Sequence, residues 1–289
     1  RICIDYRKLN NLTVFDPEPM TTAKEVFNML CDDIFRQVKV AEDDIEKTTF
    51  VTPDGCNEFC KMPFGMKNSS ATFVRGMRKL LEGMANVEHY IDDVIVHTRT
   101  WNEHVATLEN LFKRLAKANI TARPTKCRLG AGEVDFLGHH VGNNIIGLHD
   151  DNVRKIREAP RPKNNEVRSF LGLTGYYREY IPNYAAVAVP LTDLTKKGHP
   201  DIVAWGDAQE RAFNTLKSKL SSKPILHLPD LSLGFILRTD ASRDGIGAVL
   251  LQVHGGKHFP VSYASKKLSD AERRYSTIER ECLAVVWGV

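Results

Sequence analysis

The hydrophobic and polar positions of this chain change period several times, and each change marks an element. Over residues 1–10, apolar and polar side chains alternate, which predicts a β-strand. From 71 to 84, Phe73, Met77, Leu80, Leu81 and Met84 recur at helical spacing. The stretch His89-Tyr90-Ile91-Asp92-Asp93-Val94-Ile95-Val96 then sets two carboxylates between two short β-prone runs, which predicts a tight hairpin with Asp92 and Asp93 at its tip. A second helix is predicted over 102–119, with Val105, Leu108, Leu111, Phe112 and Leu115 on one face, and Pro124 ends that region. Residues 136–146 read as a short strand pair around a Gly-Asn-Asn turn.

The second half begins at a composition shift, Ala159-Pro160-Arg161-Pro162, which reads as a boundary or hinge. Helices are predicted over 166–180 and 207–220. The latter has Asp207 as its N-cap and Phe213, Leu216 and Leu220 on one face. Ser221-Ser222-Lys223-Pro224 marks another break. Strands are predicted over 234–239, 246–251 and 259–263, followed by a helix from Thr277 that opens on a Ser276/Glu279 capping box. There is no internal repeat and no low-complexity tract.

Composition adds bounds. A chain of 289 residues has room for two or three domains, each with its own core. Hydrophobic residues make up 42% and charged residues 26%, ordinary for a globular protein, and the net charge of +4 is compatible with a nucleic-acid partner without demanding one. Cys3, Cys31, Cys56, Cys60, Cys127 and Cys282 are scattered. Cys56 and Cys60 have neither a second pair nor a nearby His to complete a zinc site, so free thiols in a reducing compartment are expected. No apolar run reaches transmembrane length and no signal peptide is present, so the sequons at Asn11 and Asn68 are taken as chance and no membrane role is expected. Neither a nucleophile elbow nor a Rossmann fingerprint occurs, which argues against a small-molecule hydrolase.

Asp92 and Asp93 are the sharpest candidates for chemistry. Two fixed carboxylates at one point form a seat for a divalent metal, and two-metal phosphoryl transfer needs such a seat. Asp is also a favoured turn residue, so a solvated hairpin turn is the plain alternative. Context separates the two readings. The chain opens Arg1-Ile-Cys-Ile-Asp5-Tyr6-Arg7-Lys8-Leu9-Asn10. It continues with Lys47-Thr-Thr-Phe50-Val-Thr-Pro53 and Met62-Pro63-Phe64-Gly65-Met66-Lys67-Asn68. Beyond the double Asp come Arg123-Pro124-Thr125-Lys126-Cys127, Phe136-Leu137-Gly138-His139-His140-Val141 and Phe170-Leu-Gly-Leu-Thr-Gly-Tyr-Tyr-Arg178. Arg238-Thr239-Asp240-Ala241-Ser242 and Tyr275-Ser-Thr-Ile-Glu-Arg-Glu281-Cys282 close the series. In this order and at these intervals the segments resemble the reverse transcriptase and ribonuclease H region of gypsy-class long-terminal-repeat retrotransposon polyproteins, over essentially the whole chain.

The resemblance implies an α+β fold: a right-hand polymerase (partial fingers, palm and thumb) followed by a truncated ribonuclease H-like α/β domain. It implies three parts: 1–135 as partial fingers and palm, 136–227 as primer grip and thumb or connection, and 228–289 as the N-terminal part of ribonuclease H. Asp92 and Asp93 match metal ligands, for Mg2+ or Mn2+. Arg1, Phe64, Gly65 and Lys126 match nucleotide-binding positions: Arg1 stacks and contacts phosphate, Phe64 and Gly65 line the sugar and base, and Lys126 protonates the leaving pyrophosphate. Leu137, Gly138 and His139 fall in the primer grip. Neither His139 nor His140 has metal-ligand spacing, and strand alternation explains both. Arg168, Arg178, Lys217 and Lys219 are candidate phosphate contacts in the thumb, with a solvated face as the alternative. Asp240 and Glu281 match metal-holding residues of ribonuclease H, since Glu279 is committed to the capping box. The implied partners are an RNA template, a DNA primer, an RNA–DNA hybrid, deoxynucleotides, and protease and integrase domains of the same polyprotein. The implied location is a cytoplasmic virus-like particle, and the absence of a starting Met fits a piece cut from a longer product.

Two departures qualify this reading. The family's first catalytic Asp should lie on a strand between Phe35 and Gln37, where about ten residues, one strand and its turn, are missing; Asp32 and Asp33 precede the gap and do not match. The chain also stops at Val289, before two further acidic residues of ribonuclease H, so this last region is expected neither to fold stably alone nor to cleave. A defective polymerase is therefore expected, unless Asp32 or Asp33 is recruited in place of the missing Asp. The alternative, from another class, is a non-catalytic nucleic-acid-binding remnant or domesticated protein.

Overall fold

Chain contacts divide the protein into two units, Arg1–Ala131 and Gly132–Val289. The computed structural model describes residues 4–18, 37–163, 166–196 and 205–289. Arg1, Asp32, Asp33 and the N-terminal side of the gap at Phe35 lie outside the described residues.

In the first unit, helix α1 (Arg7–Leu12) stands where alternation predicted a strand. The Asp5 carboxylate accepts the Arg7 N–H at 3.0 Å and grips the Arg7 guanidinium, which turns the chain. Asn10 N–H then donates to the Tyr6 carbonyl at 2.8 Å. α1 buries no side chain, so tertiary hydrogen bonds rather than a hydrophobic face fix it. A small hairpin, β1 (Phe50–Thr52) and β2 (Gly55–Asn57), leads to α2 (Ser69–Leu81), then β3 (Val87–Tyr90), β4 (Asp93–Val96) and α3 (Trp101–Lys117). The core draws on both predicted faces: Phe73, Met77 and Leu81 of α2 and Leu111 and Leu115 of α3 meet Val87 of β3 and Met62, which the spacing did not mark. The predicted α3 face is wider than the buried one, because Val105 and Phe112 remain exposed. Thr100 caps α3 by accepting the Glu103 N–H.

In the second unit, β5 (Glu133–Phe136), β6 (His139–Gly142), β7 (Ile145–Leu148) and β8 (Ile225–His227) form an antiparallel sheet in that order. The predicted strand pair is thus three consecutive strands with a fourth added from 80 residues further on. Asn143 and Asn144, at φ 50° and 61°, make the two-residue turn between β6 and β7. Helices α4 (Asp150–Glu158), α5 (Glu166–Tyr176), α6 (Tyr184–Asp193) and α7 (Asp207–Ser221) pack over the sheet. The predicted 166–180 helix breaks after Tyr176, and Arg178–Tyr180 is a 3-10 turn. Gly206, not Asp207, is the N-cap of α7, where the Gln209 side chain accepts the Gly206 N–H at 3.2 Å. Val153, Ile156, Tyr177, Ile181, Leu191, Leu216 and Leu220 are almost wholly buried at the centre. α6 carries Pro190 and no clear apolar period, yet forms because it is packed by α7 on one side and by the last sheet on another.

That last sheet is β9 (Phe235–Ala241), β10 (Gly245–His254) and β11 (Lys257–Lys267), antiparallel in the order β11-β10-β9, with α8 (Thr277–Gly288) against it. Ile246, Leu268 and Ala284 are its own buried cluster. It also leans on α6: Lys267 pairs with Asp193 at 2.8 Å, Ser265 Oγ accepts the Ala185 N–H at 2.8 Å, and Tyr263 packs on the larger core.

Candidate active site

The β3–β4 register pairs Tyr90 with Asp93, so Ile91 and Asp92 form a two-residue turn and Asp93 opens β4. Ile91 takes φ 49°, a conformation that β-branched residues rarely adopt. Its side chain packs against the core of the first unit, which holds it there. The two carboxylates that follow are half-buried. Burial, and after it the charge of Asp93, pushes Asp92 up to about 6. Burial also raises Asp93. Lys126, on the exposed 3-10 turn Pro124–Lys126, is near enough for its charge to oppose both shifts. Three residues selected from the sequence for one chemistry thus share one electrostatic neighbourhood.

Phe64 and Gly65 occupy the turn before α2, with Gly65 at φ 86°. Asn10 straps this turn to the N-terminal segment: its Nδ2 donates to the Gly65 carbonyl at 2.7 Å and its Oδ1 accepts the Lys67 N–H at 2.8 Å. Lys67 Nζ returns to the Thr13 carbonyl at 2.9 Å. Asn68 stands at the N-cap of α2 but does not cap it. Its side chain binds the Val14 carbonyl and the Asp16 N–H instead.

Leu137 and Gly138 make the two-residue turn between β5 and β6, at φ 49° and 79°. Both carbonyls are taken by tyrosine hydroxyls: Tyr176 donates to Leu137 at 2.8 Å and Tyr177 to Gly138 at 3.0 Å. Asn152 donates to the Tyr177 hydroxyl at 2.7 Å, and the His149 N–H to the Gly138 carbonyl at 3.0 Å. His139 lies among the rings of Tyr176, Tyr177 and Tyr180, with Nδ1 2.9 Å from the Tyr180 hydroxyl. Burial holds its pKa below the usual value. His140, on the opposite strand face, sits between Asp135 at 2.9 Å and Glu133 at 3.1 Å, which raise its pKa. Of the candidate phosphate contacts, Arg168 reaches the Thr195 carbonyl, and Lys217 is tied to the Ala159 carbonyl at 2.7 Å over the Phe213 ring.

Asp240 is the penultimate residue of β9 and is exposed. α8 runs back along β9. A Cβ on Gly288 would meet Thr239 and Leu237, while Ala284 is clustered with Ile246 and Ala241. Glu281, one turn earlier on that stripe, therefore lies toward the strand end that carries Asp240. Register sets Asp240 opposite Gly247, whose Cβ direction points at Asn183 rather than at α8. The two carboxylates thus share an end of the sheet without sharing a face. Ser276 and Glu279 form the expected capping box, with bonds of 2.7 and 3.3 Å.

Residues 1–141 match the family model for reverse transcriptase (RNA-dependent DNA polymerase), and residues 205–289 match that for the RNase H-like domain found in reverse transcriptase. The Pol polyprotein of transposon 297 from Drosophila melanogaster is 40% identical over 302 residues, covering 100% of this chain and 28% of the relative. That of transposon gypsy, from the same organism, is 36% identical over 312 residues, covering 100% and 30%. The chain belongs to the reverse transcriptase–ribonuclease H region of LTR-retrotransposon Pol polyproteins. It spans less than a third of the length of these relatives. The alignment to transposon 297 runs over 302 positions against 289 residues here, so at least 13 positions of that relative have no counterpart in this chain. Foamy viral protease-reverse transcriptase shares the fold at 23% identity. Its complex with dsDNA matches with a TM-score of 0.87, covering 99% of this chain and 62% of that one. Its complex with an RNA/DNA hybrid gives 0.80, covering 98% and 40%. The α+β polymerase plus ribonuclease H-like architecture is therefore the right fold class.

Reverse transcriptases as a family use divalent metals. The oxygen donors of Asp92 and Asp93 suit Mg2+ or Mn2+, and their raised pKa values mark a site short of positive charge. Their number falls short. Among the described residues no group of three His, Cys, Asp or Glu side chains converges at any point, and β3 and β4 form a sheet of only two strands. The pair fits one side of a cation seat and not a two-metal centre. Sequence reasoning missed the tyrosines around Leu137–Gly138 and the Asn10 strap. The Tyr-Tyr-x-x-Tyr spacing was visible, but only the fold says which backbone it meets.

Proposed function

We propose that this chain carries the primer–template surfaces of a Pol polyprotein whose reaction is RNA-directed DNA synthesis, with a polymerase centre left incomplete by the loss of one palm strand. The observation that carries this is the Asp92–Asp93 turn with Lys126 beside it and no third carboxylate among the described residues. The 13 or more unmatched positions in the alignment to transposon 297 are enough for the strand and turn that the sequence lacks.

When bound, Mg2+ or Mn2+ supplies the charge that phosphoryl transfer needs on the attacking and leaving oxygens. Asp92 and Asp93 would hold one side of it, and Lys126 stands where a complete centre would need a proton donor for the departing pyrophosphate. Arg1, Phe64 and Gly65 receive the deoxynucleotide, and the strapped turn at Asn10 keeps Gly65 in place. Leu137, Gly138 and His139 hold the primer end. Asp240 and Glu281 match the positions that would hold metal in a complete ribonuclease H, but here they lie on different faces of the sheet and would not hold one ion together. The working division is fingers and palm to residue 135, primer grip and thumb to 227, and ribonuclease H beyond. The partners are an RNA template, a DNA primer and the protease and integrase parts of the polyprotein, inside a cytoplasmic virus-like particle. The foamy viral relatives of this fold were solved on dsDNA and on an RNA/DNA hybrid. No described helix is long and apolar enough to cross a membrane.

The test is primer extension on an RNA template with Mg2+, comparing the chain with its Asp92→Asn/Asp93→Asn double variant. The expected result is no incorporation above the double variant, together with hybrid binding that weakens as salt rises. Incorporation that the double variant abolishes would overturn the incomplete-centre reading and point to a replacement carboxylate. The second reading, a non-catalytic nucleic-acid-binding protein, is favoured by the two-carboxylate count. It predicts the same binding with no gain of synthesis when the missing strand is restored.

A further inference from the structure

The turn between β5 and β6 is held more firmly than a hairpin turn requires. Leu137 at φ 49° is unusual, since Asn, Asp or Gly normally fills the first place of such a turn. Nothing in the hairpin itself compensates for it. Four donors from outside do: the Tyr176 and Tyr177 hydroxyls, the His149 N–H, and Asn152 behind Tyr177. Tyr177 is 1% exposed and Tyr180 5%, so their rings are fixed by the core of the second unit. Burial pushes the Tyr177 hydroxyl up to about 12 and Tyr180 higher still, so both stay protonated. Gly138 fits so closely that a Cβ there would stand 3.1 Å from Asn152 Nδ2 and 3.2 Å from the Tyr177 hydroxyl.

We propose that Tyr176, Tyr177 and Tyr180 are positioning residues that clamp the Leu137–Gly138 turn and the His139 ring to α5 and the 3-10 turn Arg178–Tyr180, so that the tip and these helices move as one body. The proposal rests on the reading of this turn as the primer grip. The clamp takes both tip carbonyls, and no acceptor is found for the Leu137 and Gly138 N–H groups among the described residues. The tip therefore faces a ligand with donors only, which suits the phosphate backbone of a primer strand.

The test uses Tyr176→Phe and Tyr177→Phe in the full chain, with Tyr184→Phe as control. Tyr184 also has a bonded hydroxyl, but its partners are Thr174 and the Leu171 carbonyl, away from the turn. Amide hydrogen exchange over residues 136–142 should rise about three- to tenfold in the first two variants, as expected for one lost hydrogen bond, and stay unchanged in the control. Affinity for an RNA–DNA hybrid with a recessed primer 3′ end should fall by a similar factor, and affinity for a blunt hybrid should not. Unchanged exchange in both variants would overturn the clamp. Faster exchange with equal losses on recessed and blunt hybrids would overturn the positioning role. If the unmodified chain bound no hybrid, the functional reading would fall, while the exchange measurement would still decide the clamp.

Discussion

Two hairpin tips among the candidate site residues are built alike but supported in opposite ways. Ile91–Asp92 and Leu137–Gly138 are both two-residue turns, and each places a bulky residue at φ 49°. At Leu137–Gly138 both carbonyls are taken by hydrogen bonds, from Tyr176 at the end of α5, from Tyr177 next to it and from the His149 N–H at the start of α4. At Ile91–Asp92 the turn is held by the Ile91 side chain in the core, and the polar groups beside it are left unneutralised, with Asp92 raised to about 6. A turn that must hold its shape is bonded. A turn that leaves its carboxylates desolvated does so at a cost in stability, which is the arrangement expected of the cation seat proposed above.

The comparison can be broken by putting a side chain on Gly138. Gly138→Ala adds a methyl at φ 79° against Asn152 and the Tyr177 hydroxyl, and should destabilise the second unit by about 2 kcal/mol in denaturant unfolding. Gly83→Ala, also at positive φ but in open space, should cost only the backbone strain, about 1 kcal/mol.

Next in size is Asp92→Asn. A carboxyl whose folded pKa lies above its unfolded value of about 3.9 weakens folding once it ionises. The penalty is absent below about pH 4, grows as pH rises to 6 and is full above that. Asp92→Asn should therefore stabilise the first unit by about 1–2 kcal/mol at pH 7, allowing for partial solvent screening, and by nothing at pH 4. Equal gains at both pH values would mean that the turn, not the charge, carries the penalty.

Smaller again are Leu137→Asn and Ile91→Asn, each of which relieves the positive φ. Leu137→Asn should gain about 0.5–1 kcal/mol. Ile91→Asn should gain less or lose, because it removes core packing. The smallest effect expected is at His140. Asp135→Asn removes the nearer of its two carboxylates, so the His140 titration followed by NMR should move down toward the usual histidine value with little change in stability.

Much of the fold was legible because long periodic stretches leave little choice. The faces of α2 and α7 and the Asp92–Asp93 hairpin follow from spacing alone. Short or irregular segments were not legible. Residues 1–10 alternate over too few positions to separate a strand from a turn into α1. α6 hides behind Pro190 and an aperiodic sequence, and only burial on two sides makes it a helix. β8 joins β7 from far along the chain, a pairing that no local pattern announces.

By itself the sequence determined the family and which residues are candidates for chemistry, the paired carboxylates, Lys126, the Phe64–Gly65 turn and the Asp240 and Glu281 carboxylates, because their identity and order are local properties of the chain. Tertiary structure alone decided how those residues are held. The rise in the Asp92 pKa comes from burial, and the setting of Leu137–Gly138 comes from hydroxyls about forty residues away. Both depend on what the fold packs against a residue, and desolvation and long-range hydrogen bonds have no signature in the spacing of a sequence.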